Sequence, residues 1–258
     1  MARLRFGTFN ILHGRSLAAG TVREDDLRAA AVGLDTDILA LQEVDRGQPR
    51  SQKVDQASAV ADALDAPWWR FAPAFNGTPN RPFTPADPMS DGPGPSFGIA
   101  LVSRLAVLRW YGRRFPAAPV PVPLTIAGER GLRAVYDHPR VVLAAIVVGP
   151  DGPFTVVATH LSFVPGWNVR QLHSIIRWAA KMPGPRILLG DLNLPGRLPA
   201  VLSGWQQLAR VPTFPSWQPR VQWDHVLADG FESGTIRNVT TLRFGISDHT
   251  ALTVDVDW

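Results

Sequence analysis

The chain has 258 residues, 45% of them hydrophobic and 19% charged, which is enough to bury one sizeable core and too apolar for disorder. It has no cysteine, which excludes disulfides and thiolate metal sites; any metal must sit on carboxylates, amides or imidazoles, donors that favour a hard cation such as Mg²⁺ or Mn²⁺. Of the 26 basic residues only Lys53 and Lys181 are lysines, and the net charge of +4 suits a phosphate-bearing or polyanionic partner, although an arginine-rich composition accounts for it equally well.

The N-terminal stretch lacks the apolar centre of a signal peptide, and no run approaches the roughly 18 apolar residues of a membrane span. A cytoplasmic monomer without a transmembrane segment is the expectation, and no protein partner can be inferred.

Residues 3–9 alternate as a strand does, with Leu4, Phe6 and Thr8 on one side and Asn10 where the strand ends. Thr21 to Gly33 reads as a helix: Thr21 is an N-cap, Glu24 completes a capping box and Gly33 stops it. Residues 37–42 form a nearly continuous apolar run, the pattern of a buried strand, and deliver Glu43 at its end. A helix over 56–64 and a strand over 68–75 follow. Between 76 and 96 prolines and glycines forbid regular structure, and loops of that length are often functional. Strand-like runs occupy 97–102, 106–111, 131–137, 140–148 and 154–159, with a second proline-rich bend between Phe115 and Leu124. A helix over 170–180 leads to a buried strand over 186–189 ending in Gly190-Asp191, and strands around 223–228 and 250–256 close the chain. With neither an internal repeat nor a low-complexity linker, residues 1–258 read as one domain of the α/β (α+β) class, packed sheets flanked by helices.

Six segments place a carboxylate, amide or imidazole at a strand end: Thr8-Phe9-Asn10, Leu41-Gln42-Glu43-Val44, Thr159-His160-Leu161, Gly190-Asp191-Leu192-Asn193, Trp223-Asp224-His225-Val226 and Ser247-Asp248-His249. Singly, each has an ordinary explanation. Asn10 could cap a turn, Glu43 could be a solvated charge, His160 a hydrogen-bonded core histidine, and Asp248 an N-cap. Together they differ, because gathering acidic and amide groups at apolar strand ends is unfavourable unless a cation binds them. Phosphoryl transfer needs such a group: a hard metal for the phosphate, a base for the water and donors for the developing charge.

In this order Asn10, Gln42-Glu43, His160, Gly190-Asp191-Leu192-Asn193, Asp224-His225 and Ser247-Asp248-His249 resemble the endonuclease/exonuclease/phosphatase superfamily. That group includes pancreatic-type deoxyribonucleases, neutral sphingomyelinases, inositol polyphosphate 5-phosphatases and exonuclease III. The resemblance runs from Thr8 to Leu252, and the segments Gly98–Arg104 and Thr213-Phe214-Pro215 look like those of its bacterial members. It implies a four-layer αββα sandwich of two packed mixed sheets flanked by helices, with the site at one rim. It also implies a Mg²⁺-dependent hydrolase, with Mn²⁺ able to stand in, that cleaves phosphate esters by in-line attack of water.

By that resemblance Glu43, Asn10 and Asp248 would hold the metal. Asp191 would orient or deprotonate the water, with Asn193 holding phosphate or water. His249, oriented by Asp224, would act at the scissile phosphate as base or charge stabiliser, and His160 would donate to a non-bridging oxygen. A phosphodiesterase or nuclease acting on DNA or RNA is the first reading, and a phosphomonoesterase on a sugar, inositol or nucleotide phosphate the second; a non-catalytic binding protein is the remote third. Thr159-His160 stands where exonuclease III-like enzymes carry a tyrosine, which counts against abasic-site repair. Ile99 replaces an asparagine common in bacterial members, so a polar contact behind the site is expected to be missing.

Arg46 and Arg130 are candidate phosphate binders, with a solvated surface arginine as the ordinary alternative. His13 reads as a turn histidine near the site. The aromatic segment 163–167 could dock a base, a lipid headgroup or a membrane surface, or simply pack.

Overall fold

Period-two alternation of apolar side chains gives each principal strand two faces to cover, and helices cover the faces turned away from the partner sheet. The computed structural model describes residues 2–79, 81–92, 94–125, 131–231 and 236–258. Its first half contains β1 (Arg3–Asn10), α1 (Glu24–Leu34), β2 (Ile38–Arg46), α2 (Gln56–Ala63), β3 (Trp68–Asn76), β4 (Thr84–Pro85), β5 (Ser96–Ser103), β6 (Val107–Phe115), β7 (Val122–Thr125) and β8 (Leu132–Val135). There follow β9 (Arg140–Gly149), β10 (Gly152–His160), α3 (Trp167–Ala179), β11 (Arg186–Asp191), α4 (Leu198–Ser203), β12 (Gln206–Gln207), β13 (Asp224–Asp229), β14 (Ile236–Leu242) and β15 (Ala251–Asp257).

Among the described residues one sheet has the order β14-β15-β1-β2-β5-β3-β4 and the other β12-β13-β11-β10-β9-β6; β7 and β8 form a separate ribbon. Phe6, Ile38, Leu101, Leu143, Val156, Leu189 and Val254 fill the space between the two main sheets. On the outer face of the first sheet, Phe9, Leu39 and Leu41 meet Leu27, Leu34, Val60 and Leu64 of α1, α2 and the turn after α2. On the outer face of the second, Val142, Val157, Leu188 and Leu227 meet Leu172 and Ile175 of α3. The result is the expected αββα sandwich, each fully buried aliphatic side chain contributing about 1.5–3 kcal/mol.

Several boundaries differ from those read in the sequence. α1 begins at Glu24, after an N-cap at Arg23 with no side-chain cap, so Thr21 is not its cap. Glu24, Asp25 and Asp26 instead place three carboxylates in the first turn, where the helix dipole favours them. Gly33 lies inside the helix, which ends at left-handed Asp35 (φ 43). A Cβ at Gly33 would come within 3.0 Å of the Phe244 ring, so glycine there permits packing rather than termination. α3 starts three residues early, after Gly166 at φ 80. The short helix α4 escapes a periodicity reading because its six residues are under two turns. β14 escapes it because a register shift between Ile236 and Asn238 breaks the alternation.

Candidate active site

The parallel pairs β1–β2 and β10–β11 end side by side, and the side chains at those carboxyl ends converge. In the second sheet His160 is paired with Asp191 and Asp191 with Asp224. Residues opposed in a ladder share a face. The alternation that buries Val156, Leu189 and Val226 between the sheets therefore carries His160, Asp191 and Asp224 to the same inner rim. His225 points the other way, with Leu227, and its Nε2 meets the Leu194 carbonyl at 2.9 Å. Burial lowers its pKa to about 4, so it is a neutral tie for the turn after Asn193.

β2 reaches the rim differently. Leu39 and Leu41 face the helices, and regular alternation would send residue 43 after them. A register shift between Leu41 and Val44, with Glu43 at φ 56, makes Val44 the next helix-facing residue and turns Glu43 to the rim. Gly190 is required by close approach: a Cβ there would lie 2.0 Å from the Thr159 carbonyl oxygen.

Asn10 links the two sheets. Its Nδ2 donates to Glu43 Oε1 and to Asp191 Oδ2, each at 3.1 Å, while its Oδ1 accepts the Leu12 amide. In this arrangement Asn10 bridges the carboxylates, and ligation of a cation through Oδ1 requires a half-turn of the amide. Asp191 Oδ1 accepts the Asn193 backbone N–H at 3.0 Å, and Asn193 Nδ2 lies 3.3 Å from His160 Nε2. His160 Nε2 is 3.5 Å from Asp191 Oδ2. His249 Nδ1 is 2.8 Å from Asp224 Oδ2, and its Nε2 is 3.8 Å from Asp191 Oδ2.

The segment Thr213-Phe214-Pro215 holds that last pair together. Thr213 Oγ1 accepts the backbone N–H groups of Trp223 and Asp224, its carbonyl accepts from Thr250, and the Phe214 ring lies 5.0 Å from the His249 ring. The hydroxyl of Ser247 donates to the Asn10 carbonyl and accepts the His249 amide, tying the Ser-Asp-His turn to β1.

These groups face a cleft of about 340 Å³ lined by Asn10, Glu43, His160, Asp191, Asn193 and His249. Arg50, His138, Arg140, His13, Phe97, Phe163 and Pro79 complete its walls. Asp248 is half-buried, and its charge opposes the ionisation of Glu43.

Arg46 is not among the lining residues: its guanidinium lies over the Phe71 ring and pairs with Asp91 at 2.8 Å. The cations at the cleft are instead Arg50, bidentate to Asp45, and Arg140, paired with Asp137 at 2.8 Å. Arg130 lies outside the described residues. Arg140 follows the Asp137-His138-Pro139 bend and opens β9, and that strand start, a place where loops gather side chains around a cleft, puts its buried guanidinium at the rim. Ile99 is buried between the sheets and adjoins His138, Arg140 and His160. An apolar side chain thus stands at the position where a polar contact was expected to be missing.

Burial raises the pKa of Glu43, with Asp248 adding to the effect against the Asn10 hydrogen bond. Burial also raises Asp191; the His249 charge opposes this and Asp224 reinforces it. Burial by itself would lower His249, but Asp224 outweighs it and holds the ring well above the ordinary histidine range. His160 is lowered by burial and by the nearby Arg140 charge, so it is neutral near pH 7.

Divalent metal fits this donor set. Four carboxylates, an amide and imidazoles crowd one rim, burial raises the pKa of two of the acids, and Asp224 Oδ1 is buried without a hydrogen-bond partner among the described residues. Ligand atoms of Asp191, Asp224 and His249 lie within 4.8 Å of one another, a candidate metal cluster. Nδ1 of His249 and Oδ2 of Asp224 already engage each other. The atoms left for a cation are therefore Asp224 Oδ1 and the Asp191 carboxylate, with Glu43 one Asn10 hydrogen bond away from Asp191, because a His249 ring held above the ordinary histidine range keeps a proton on Nε2. Oxygen-rich sets of this kind take hard cations.

The fold and site are those of a metal-dependent phosphoester hydrolase. The sequence model of the Endonuclease/Exonuclease/phosphatase family matches residues 7–249, and the chain belongs to that family. Among solved structures, an endonuclease/exonuclease/phosphatase from Beutenbergia cavernae DSM 12333 is similar at 22% identity and TM-score 0.63, covering 99% of this chain and 72% of that one. A mannosyl-6-phosphatase from Bacteroides thetaiotaomicron VPI-5482 is similar at 14% identity and TM-score 0.63, covering 99% of this chain and 100% of that one. Sphingomyelinase C from Streptomyces griseocarneus is similar at 14% identity and TM-score 0.63, over 100% of both chains. No curated protein sequence matches the chain. No described helix is long and apolar enough to cross a membrane.

Proposed function

We propose that this protein is a Mg²⁺-dependent phosphodiesterase, with Mn²⁺ able to replace Mg²⁺, whose substrates include DNA or RNA. The observation that carries the reading is the buried His249–Asp224 pair facing Asp191 at 3.8 Å across a cleft that also holds Glu43, His160 and Asn193. Glu43 and Asp248 would hold the metal beside Asp191, with Asn10 joining them once its amide makes a half-turn. An ion held there would supply charge to neutralise phosphate oxygens and polarise the ester. Asp191, whose carboxylate burial makes more basic, receives the proton of the attacking water, which the adjoining Asn193 amide helps to orient. His249, kept protonated by Asp224, presents Nε2–H to the charge that develops on the phosphate. Neutral His160 donates a ring N–H to a second phosphate oxygen.

The size of the cleft favours a second reading. A volume of about 340 Å³ lies at the small end of ligand pockets and suits a phosphomonoester of a sugar, inositol or nucleotide. The relative described as a mannosyl-6-phosphatase supports it. Hydrolysis of bis-p-nitrophenyl phosphate and of p-nitrophenyl phosphate, with and without Mg²⁺, separates the two. Diester cleavage that needs Mg²⁺ and disappears in Asp191→Asn is expected. Monoester preference moves the second reading to first place, and metal-independent turnover in Asp191→Asn removes the site assignment.

A further inference from the structure

A second groove, of about 350 Å³, lies outside the catalytic cleft, between the end of β6 and the outer face of α3. It is lined by Phe115, Pro116, Trp167, Arg170, Gln171, His173, Ser174 and Arg177. Residues 170, 173, 174 and 177 recur at helical spacing on one side of α3, opposite the buried Leu172, Ile175 and Ala179.

The chemistry of this groove is one-sided. No carboxylate lines it, and α3 has no acidic residue in its first turn. The Arg170 guanidinium lies 4.9 Å from the centre of the Trp167 ring, and that of Arg113 lies 5.2 Å from the centre of Phe115. No described carboxylate pairs with Arg113, Arg170 or Arg177, whereas Arg50 and Arg140 in the cleft each hold an aspartate. Trp167 is fixed by a hydrogen bond of 3.2 Å from Nε1 to the Pro116 carbonyl, so its ring is a preformed face. Gln171 is 4% exposed; its Oε1 accepts the Ser162 amide, and its buried Nε2 has no partner at all. An orphaned amide donor is unfavourable, and a ligand that accepts its hydrogen bond relieves that cost.

The groove adjoins the cleft. Phe115 is paired with Arg140 in the β6–β9 ladder, and Arg140 lies 5.8 Å from the Phe163 ring, both of them cleft residues. The short segment from Phe163 to Trp167 is the divide between the two.

We propose that this groove is a second phosphate-binding site that holds the backbone and a base of a single-stranded polynucleotide whose neighbouring phosphodiester occupies the cleft. Unpaired arginines beside rigid aromatic faces fit a strand that offers phosphates and π-faces in alternation. The link to the cleft rests on the phosphodiesterase reading; the groove itself does not.

The test is fluorescence anisotropy with a labelled oligothymidylate of about twelve nucleotides in EDTA, over a salt series. The Arg170→Ala/Arg177→Ala variant should bind at least about tenfold more weakly. Its plot of log affinity against log salt should be shallower by about 1.4, the loss of two single-strand phosphate contacts. Trp167→Leu should weaken the oligonucleotide more than inorganic polyphosphate, which has no base to stack. An unchanged affinity and salt slope in the double arginine variant, with circular dichroism showing it folded, overturns the proposal. So does double-variant-sensitive binding to phosphatidylserine vesicles by a protein that ignores the oligonucleotide. Because the assay uses neither metal nor turnover, failure of the catalytic reading, seen as diester cleavage retained in Asp191→Asn, is read separately.

Discussion

His249 and Asp224 share a hydrogen bond of 2.8 Å between Nδ1 and Oδ2, and both side chains are buried. The bond fixes which ring nitrogen carries its proton toward Asp224 and leaves Nε2 aimed at Asp191. Burial of the ring disfavours its charge, yet the carboxylate beside it more than reverses this and raises the pKa. A raised folded-state value means that the pair's stabilisation is complete below the ordinary histidine range and is lost as pH rises through the folded value. Asp224→Asn removes the cause. In that variant the His249 ring should lose its proton at lower pH than in wild type, followed by NMR on the metal-free protein. Turnover should fall by roughly 10²–10⁴-fold, chiefly in kcat, and an unshifted titration would detach Asp224 from His249.

Glu43→Gln separates metal binding from folding. The wild-type carboxylate is buried near Asp248, and both burial and that charge oppose its ionisation. In EDTA the neutral amide should therefore melt no lower than wild type. With Mg²⁺ added, wild type should gain stability, about 2.7 kcal/mol at a hundredfold excess over Kd, and the variant should not. Differential scanning calorimetry at several Mg²⁺ concentrations reads both effects, and an equal metal-induced shift in the two proteins would remove Glu43 from the ligand set.

Gly190→Ala addresses the glycine of the Gly-Asp-x-Asn segment. Its new Cβ would sit 2.0 Å from the Thr159 carbonyl oxygen, which is backbone and cannot swing aside. β10 and β11 must then part at the Thr159–Gly190 pair, next to the one that sets His160 against Asp191. The expected outcome in urea unfolding is a loss of several kcal/mol, in the range of overpacking combined with broken pairing. Activity should fall further than in an outward-facing alanine variant of equal stability.

Asp137 supports the cleft from behind. Burial raises its pKa, but the paired Arg140, together with hydrogen bonds from Ser162 and the Ala118 amide, wins and lowers it. The stabilisation is therefore full above the unfolded carboxylate pKa and is lost as pH falls through the lower folded value. Asp137→Ala strands a guanidinium in a residue only 8% exposed and should cost about 3–5 kcal/mol. Unfolding midpoints at pH 7 and pH 3 measure this: the gap between variant and wild type should narrow at the lower pH.

Much of the cleft's make-up was legible before folding. Asn10, Glu43, His160, Asp191, Asn193, Asp224 and His249 all come to one cleft or to a partner lining it, because each stands at the end of an apolar strand whose course local periodicity reveals. The absence of cysteine and the oxygen-rich donors pointed to a hard cation from composition alone. Helix boundaries were less legible: Thr21 and Gly33 have the residue types of caps, but tertiary contacts with Phe244 explain the glycine better than any local rule.

The sequence by itself determined the layered class, the family and which polar side chains stand at strand ends, because these depend on residue type, order and short-range period. Only the tertiary structure decided how those side chains meet. The shift that turns Glu43 to the rim, the Asn10 bridge between sheets and the choice of Arg50 and Arg140 over Arg46 at the cleft all depend on contacts between chain-distant residues. So does the basic face of α3 beside Trp167, which no described carboxylate pairs. A sequence lists charges, but which of them are neutralised is settled by distances of a few ångströms, and those exist only once the sheets are packed.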